Sequence, residues 1–444
     1  MNKKLMAIAV AGALSAPGLA AAQVGSSPGI TLYGTLDSVI LNNSYAEAKN
    51  FAGTAVVTGK VKKGDVFTAG NEMGVRGRES IGGGTSVWFQ LATGVWPDAR
   101  LEGTTTTGNN WGGRNSALGV TSALGDILWG IWDTPYKGVI FGVGNAISSG
   151  PFGHGGVIVG NGDTTGALPV VGCGAGVSLA TGALATTPVC VTEVTGNTTS
   201  WSRRVSNSIQ WWSPRMAGVQ VKIATAMFNY KESETQPLTN GMQSSQMLSG
   251  SVIYASGPLT LGLGLEQHKG FNASNAGTGI VDPTDKGVIL GGKWNFGPGQ
   301  IGVTFEQLDY GATDTGATSG GKMKLTNAAI NGSFNVGPGA IWAGYSATPG
   351  GKSCGLDPTA TAAGTRVGNA SCGDPGKAKV MSVGYDYIMS KRSKLYFAFE
   401  KIDNGVDSQY YYIAGPAANA VGNGGSLSRG TDVTTFGVGM RHTF

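Results

Sequence analysis

Leu259-Thr260-Leu261-Gly262-Leu263-Gly264-Leu265-Glu266 puts a leucine at every odd position and a small, polar or acidic residue at every even one. Side chains along a β-strand point to opposite faces in turn, so this octet reads as a strand with one wholly apolar face. The pattern recurs. Val219, Val221 and Ile223 alternate with Gln220, Lys222 and Ala224; Ile301, Val303 and Phe305 with Gly302, Thr304 and Glu306; Leu395, Phe397 and Phe399 with Tyr396, Ala398 and Glu400. Alternation suits a soluble sandwich as well as a membrane barrel, and the links between strands separate the two. Very short links such as Ser256-Gly257-Pro258, Gly297-Pro298-Gly299, Gly337-Pro338-Gly339 and residues 81–84 alternate with long ones rich in Gly, Thr and Asn. Short turns at one end and long loops at the other are the habit of outer-membrane barrels.

On this basis strands are predicted near 30–42, 66–79, 85–97, 114–123, 126–134, 201–213, 217–230, 247–256, 259–269, 286–296, 300–310, 323–335, 340–348, 378–389, 394–403 and 431–444. The expected fold is all-β, a sixteen-stranded antiparallel transmembrane β-barrel. An even count sets both termini at one end and lets the last strand pair with the first, which removes the unpaired edges a bilayer penalises. The final strand carries Phe436, Val438, Met440, His442 and Phe444 on one face. Trp294-Asn295-Phe296-Gly297-Pro298-Gly299 resembles Phe334-Asn335-Val336-Gly337-Pro338-Gly339, a trace of hairpin duplication.

The composition agrees. Lys3 and Lys4 precede an apolar stretch from Leu5 to Leu14, and Ala20, Ala21 and Ala22 follow, so residues 1–22 read as a secretory signal peptide and 23–444 as a single exported barrel domain. Without the signal, 29 basic residues face 26 acidic ones, which is no nucleic-acid signature. After it there is no run of about 20 apolar residues, so a transmembrane helix is not expected. The 76 glycines show no Gly-X-Y period and fall within the apparent strands as well as the loops, where they fit an open lumen and tight curvature.

Several residue groups invite chemistry. The predicted lumen face holds Asp37, Glu72, Arg76, Arg204, Lys222, Glu266, Glu306, Glu400 and Arg441. Aromatic residues near strand ends, among them Trp211, Trp212, Tyr230, Trp294, Phe296, Tyr385, Tyr387 and Tyr410 to Tyr412, read as interfacial girdles. Cys173 and Cys190 fall in the third long loop, and Cys354 and Cys372 in the seventh. In an oxidising compartment they are expected to pair as Cys173–Cys190 and Cys354–Cys372, with metal ligation the alternative. His154, His268 and His442 are too scattered for a catalytic constellation, and no motif for a cofactor is found.

Ile30-Thr31-Leu32-Tyr33-Gly34-Thr35-Leu36-Asp37 resembles the opening strand of the general porins of Gram-negative bacteria, especially the betaproteobacterial type. Gly74-Val75-Arg76-Gly77, Gly82-Gly83-Gly84 and Trp88-Phe89-Gln90-Leu91 are similar to that family's second strand, turn and third strand. Asn207-Ser208-Ile209-Gln210-Trp211 and Met440-Arg441-His442-Thr443-Phe444 match two later positions. The resemblance implies a homotrimer in the outer membrane, among lipid and lipopolysaccharide, whose third extracellular loop (about 135–200) folds inward to narrow a pore for small hydrophilic solutes and ions. It further implies that wall arginines, here Arg76 and Arg204, face acidic groups on that loop. The sequence departs from this pattern: Glu72 and Ile131 stand where basic residues are usual, and Pro151-Phe152-Gly153-His154-Gly155-Gly156 lacks the acid of the loop motif. The departures argue against strong anion selectivity. After Asp133 the loop's charges are Lys137, Asp163 and Glu193 alone, so a nearly neutral plug or narrow throat is expected, and deleting 157–195 should raise conductance.

Two rival readings remain open from sequence. A barrel enzyme needs a nucleophile oriented by a base, for which no motif is present. A structural barrel, an adhesin or a sheath around a redox partner, would conduct little.

Overall fold

The computed structural model describes residues 29–46, 61–68, 70–95, 112–147, 152, 157–160, 173–174, 189–190, 201–226, 246–269, 284–313, 321–350, 352–354, 377–405, 410 and 431–444. Residues 1–22, His154, Tyr230, Tyr411, Tyr412, Cys372 and most of 148–200 lie outside them. In chain order the strands are β1 (Gly29–Tyr45), β2 (Val61–Thr68 with Glu72–Gly82), β3 (Thr85–Gly94), β4 (Ser116–Ser122), β5 (Gly125–Asp133), β6 (Arg204–Trp212), β7 (Val219–Ala226) and β8 (Gln246–Ser256). They continue with β9 (Leu259–Lys269), β10 (Thr284–Asn295), β11 (Gly299–Thr313), β12 (Gly321–Val336), β13 (Gly339–Thr348 with Lys352–Cys354), β14 (Ala378–Ile388), β15 (Ser393–Asn404) and β16 (Val433–Thr443).

One sheet contains 18 strand segments, and since β2 and β13 are each two segments along a shared neighbour, the wall has sixteen strands. Each strand pairs antiparallel with the next. β16 returns to β1 over Thr35↔Thr443 to Tyr45↔Val433, and Gly34 and Phe444 exchange backbone hydrogen bonds at 3.1 Å. The closed barrel, its strand count and its last pairing all match the sequence reading. The second strand begins earlier than expected, at Val61, and is interrupted beside Gly70, whose φ of +63° suits glycine. There the Asn71 side-chain oxygen accepts from the Asp37 backbone N–H at 2.5 Å, replacing a ladder bond.

The two faces are inverted relative to a soluble protein. Leu259, Leu261, Leu263 and Leu265 point outward and stand 37–51% exposed, while Glu266 and His268 point inward and are buried. Ile301, Val303, Phe305, Phe436, Val438 and Met440 share the outer face. An apolar belt of this extent makes sense only where lipid replaces water.

The inner face explains much of the glycine. Trp88 lies on Gly119, Tyr33 on Gly74, Trp342 on Gly384 and Tyr396 on Gly439, and in each pair a Cβ on the glycine would run into the ring. Each ring is the direct cross-strand partner of its glycine. Lumen-facing rings thus lie flat against the wall because the opposite position has no side chain.

The aromatic expectation needs correcting at two positions. Trp211, Trp294, Phe296 and Tyr387 are exposed on the outer surface. Trp212 instead points inward beside Trp132, because adjacent residues on a strand take opposite faces, and Tyr410 is wholly buried with Val39, Phe152 and Tyr396.

Candidate functional site

Beyond Asp133 the chain turns off the wall. Thr134 caps the short helix α1 (Pro135–Gly138), its hydroxyl accepting from the Lys137 N–H at 3.2 Å, with Pro135 in the first turn. A π-helical turn, Val139–Val143, follows. Tyr136, Val139, Ile140 and Val143 are buried against Ile289, Leu308 and Leu325 of the inner wall. The wall admits backbone at this depth because it is cut away there: a Cβ on Gly302 would fall well inside contact distance of the Gly144 carbonyl oxygen, and one on Gly291 would sit 3.2 Å from the Gly144 nitrogen.

Polar side chains of the wall satisfy the incoming backbone, as burial requires. Asn331 accepts from the Ala146 N–H at 2.5 Å and donates to the Gly144 carbonyl at 3.1 Å, while Gln300 donates to the Ala146 carbonyl at 2.6 Å. Further along, Phe152 packs edge-on against Tyr396 of β15 at 6.4 Å, and Val157 and Ile158 join Val39 and Trp342. Gly160 then returns to β11, its N–H donating to Glu306 at 2.8 Å, and Trp201, bonded to the Gly160 carbonyl at 2.8 Å, stacks on His268 at 4.2 Å. The described parts of residues 134–160 therefore touch both sides of the barrel interior.

Seven of the nine charged positions expected on the lumen face fall into two sets of three, with Lys222 apart from both. Asp37, Glu266 and Glu306 are on the inner face but covered. Glu306 accepts from the Tyr136 hydroxyl at 2.7 Å and the Asn327 amide at 2.7 Å as well as from Gly160, Asp37 accepts from the Tyr396 hydroxyl at 2.5 Å, and Glu266 is bonded to His268 at 2.7 Å. Glu72, Arg76 and Arg204 converge instead on the part of the wall that α1 leaves clear, and with Arg114 they act electrostatically on Tyr33. Arg76 stacks on the Tyr33 ring at 4.9 Å, and Glu72 pairs with Arg114 at 3.3 Å. Arg204 reaches Asp133 at 3.2 Å and Asn115 at 2.7 Å, and Lys137 reaches Asp133 at 3.1 Å. Among the described residues this band holds four cations, Arg76, Arg114, Lys137 and Arg204, against two anions, Glu72 and Asp133. Lys222 stands apart, its ammonium 4.2 Å from the centre of the Trp212 ring. Sequence reasoning passed over Arg114, which sits at the foot of a long loop where alternation gives no signal.

Cys173 and Cys190 are register partners in a two-residue antiparallel pair. Cys354 ends the β13 extension, whereas its expected partner Cys372 lies outside the described residues.

Glu306→Gln keeps the shape but weakens the charge-assisted bonds to Tyr136 and Gly160, for an expected loss of about 1.5–3 kcal/mol in holding the segment. Faster cleavage of the loop by added protease, with an unchanged barrel, is the readout; equal cleavage would show that Glu306 does not hold it.

A closed, lipid-facing barrel with a charged, water-accessible interior defines a transmembrane β-barrel channel. The chain belongs to the Gram-negative porin family, whose model matches residues 7–407. Outer membrane porin protein 32 of Delftia acidovorans is 25% identical over 450 residues, covering all of both chains. Among solved structures, the anion-selective porin from Comamonas acidovorans superposes with a TM-score of 0.56 at 20% identity, covering 94% of this chain and all of that one. The outer membrane channel DcaP of Acinetobacter baumannii gives 0.52 at 14% identity, covering 95% of this chain and 99% of its own. The protein is an outer-membrane channel for passive diffusion of solutes.

Proposed function

We propose that residues 135–200 form a constriction loop, and that small hydrophilic solutes and ions pass between it and the wall carrying Glu72, Arg76, Arg114 and Arg204. The observation that carries this reading is the anchoring of residues 134–160 across the lumen, with the Tyr136 N–H donating to Ser249 of β8 at 3.1 Å on one side and Ile158 packed with Val39 of β1 on the other. The four-to-two excess of cations in the band favours anions mildly, in the same sense as the anion-selective porin it resembles. Glu72 and Asp133, each paired with an arginine, keep the preference weak.

Planar bilayers test this directly. Stepwise conductance is expected, with a reversal potential of anion-selective sign in a salt gradient. Arg76→Gln should lower the anion-to-cation permeability ratio roughly sevenfold, because one unit charge at about 7 Å in water shifts the anion and the cation in opposite directions by about 0.6 kcal/mol each. A cation-selective wild type would overturn the assignment of the band. A complete lack of conductance would favour the structural-barrel alternative, which the apolar packing around Phe152, Val157 and Tyr136 makes worth the control.

Export through a signal peptide at residues 1–22, assembly as a homotrimer, and contact with lipopolysaccharide as well as lipid belong to the same reading. So do the disulfides Cys173–Cys190 and Cys354–Cys372, of which the first is supported by the backbone register. Peptide mapping without reductant should recover both linked pairs; free thiols at all four positions would refute them.

A further inference from the structure

The inner wall at the short-turn end of β3 to β7 carries an arrangement that the throat does not use. Trp88 is on the lumen side, lies flat on Gly119 and is half-buried. Trp132 stands edge-on between it and Trp212, at 5.9 Å from the first and 5.7 Å from the second. Two cations flank these rings. Arg78 is the cross-strand partner of Trp88, is exposed, and donates to the Thr121 hydroxyl at 2.7 Å. Lys222 is the cross-strand partner of Trp212 and lies over its face. Asp126, which accepts from the same Thr121 hydroxyl, is the carboxylate beside them among the described residues. The apolar cluster of Ala117, Leu128 and Trp132, with Trp88 and Trp212 at its margin, includes no described residue of the 134–160 segment.

Trp132, only 7% exposed, has a sufficient role in packing the wall. Trp88 and Trp212 keep accessible surface on the lumen side beyond what their packing on Gly119 and Trp132 covers. An aromatic surface bordered by a guanidinium and an ammonium matches a ligand with a flat ring and a carboxylate: the ring meets the indole and the carboxylate meets Arg78 with paired hydrogen bonds. A neutral sugar would offer Arg78 no carboxylate to bond, and an aliphatic anion would leave the rings wet. We propose that this end of the lumen is a subsite for small aromatic carboxylates, with Trp88 and Arg78 as its specificity-determining residues. The proposal rests on the channel reading and names a solute class for it.

The test uses the full chain in planar bilayers with benzoate added at constant chloride. Saturable partial block of the current is expected, with acetate and cyclohexanecarboxylate about fivefold or more weaker. Arg78→Gln and Trp88→Ala should each weaken the block about tenfold, and Trp88→Phe should retain most of it. Should Trp88→Ala fail to fold, as judged by heat-modifiable mobility, Arg78→Gln carries the test alone. Equal block by acetate or cyclohexanecarboxylate, or block unchanged in Arg78→Gln, overturns the proposal. Block by maltose without block by benzoate also overturns it and assigns the wall to sugars. Conductance without benzoate block refutes this inference alone, whereas absent conductance refutes the channel reading beneath it.

Discussion

Gly302→Val should enlarge the channel, raising single-channel conductance roughly twofold as the open cross-section grows. The position alternates with Ile301 and Val303 on the outer face, so a β-branched residue there suits the strand itself. On the inner face the new side chain meets backbone. Its Cβ would fall well inside contact distance of the Gly144 carbonyl oxygen and lie 3.1 Å from the Ala146 nitrogen. Neither can rotate away as a side chain could. The segment has to lift off, breaking its bonds to Asn331, Gln300 and Ser333, each of about 0.5–1.5 kcal/mol. Deleting 157–195 would strip Val157 and Ile158 from the opposite cluster as well, so the point substitution separates blockage from barrel stability. Unchanged conductance with the segment displaced, seen as protease sensitivity near residue 144, would show that it does not restrict flow.

The second large effect is on the lipid side. Leu263→Arg sets a charge at the middle of β9, where the cross-strand neighbours Val252 and Leu290 are also exposed and apolar. The expected cost is about 2–4 kcal/mol for arginine near the bilayer midplane. A fall in the urea midpoint of the barrel in vesicles would register it. Lys222→Gln, on the inner wall, is the control and should change that midpoint little. Equal midpoints for wild type and Leu263→Arg would mean that this face does not meet hydrocarbon.

The wall was legible because each strand repeats one local rule, and Leu259 to Glu266 already states which side faces lipid. The interior was not. By alternation Glu306 and Arg76 are equivalent inward charges, yet one lies beneath Tyr136 and Gly160 while the other stacks on Tyr33 in the open band. What separates them is a segment more than a hundred residues away in sequence, with a path set by gaps at Gly302 and Gly291 that appear only once strands are in register. Glycine-rich composition hinted at an open cross-section, while the structure uses many of those glycines to receive rings and backbone. Arg114 escaped notice for a related reason. Its ion pair with Glu72 forms between the foot of a loop and a neighbouring strand, a relation no periodicity encodes.

The ring-on-glycine pairs also bear on how the barrel closes correctly. Strands of alternating small and apolar residues can slide by two positions and still keep lipid-facing side chains outside. Such a slip would bring Trp88 opposite Ala117 or Thr121, and Trp342 opposite Ser382 or Asp386, where a Cβ occupies the place the ring needs. Each pair thus acts as a key that fits one alignment of its hairpin, and the correct pairing of this wall is selected from within the lumen, by absent side chains.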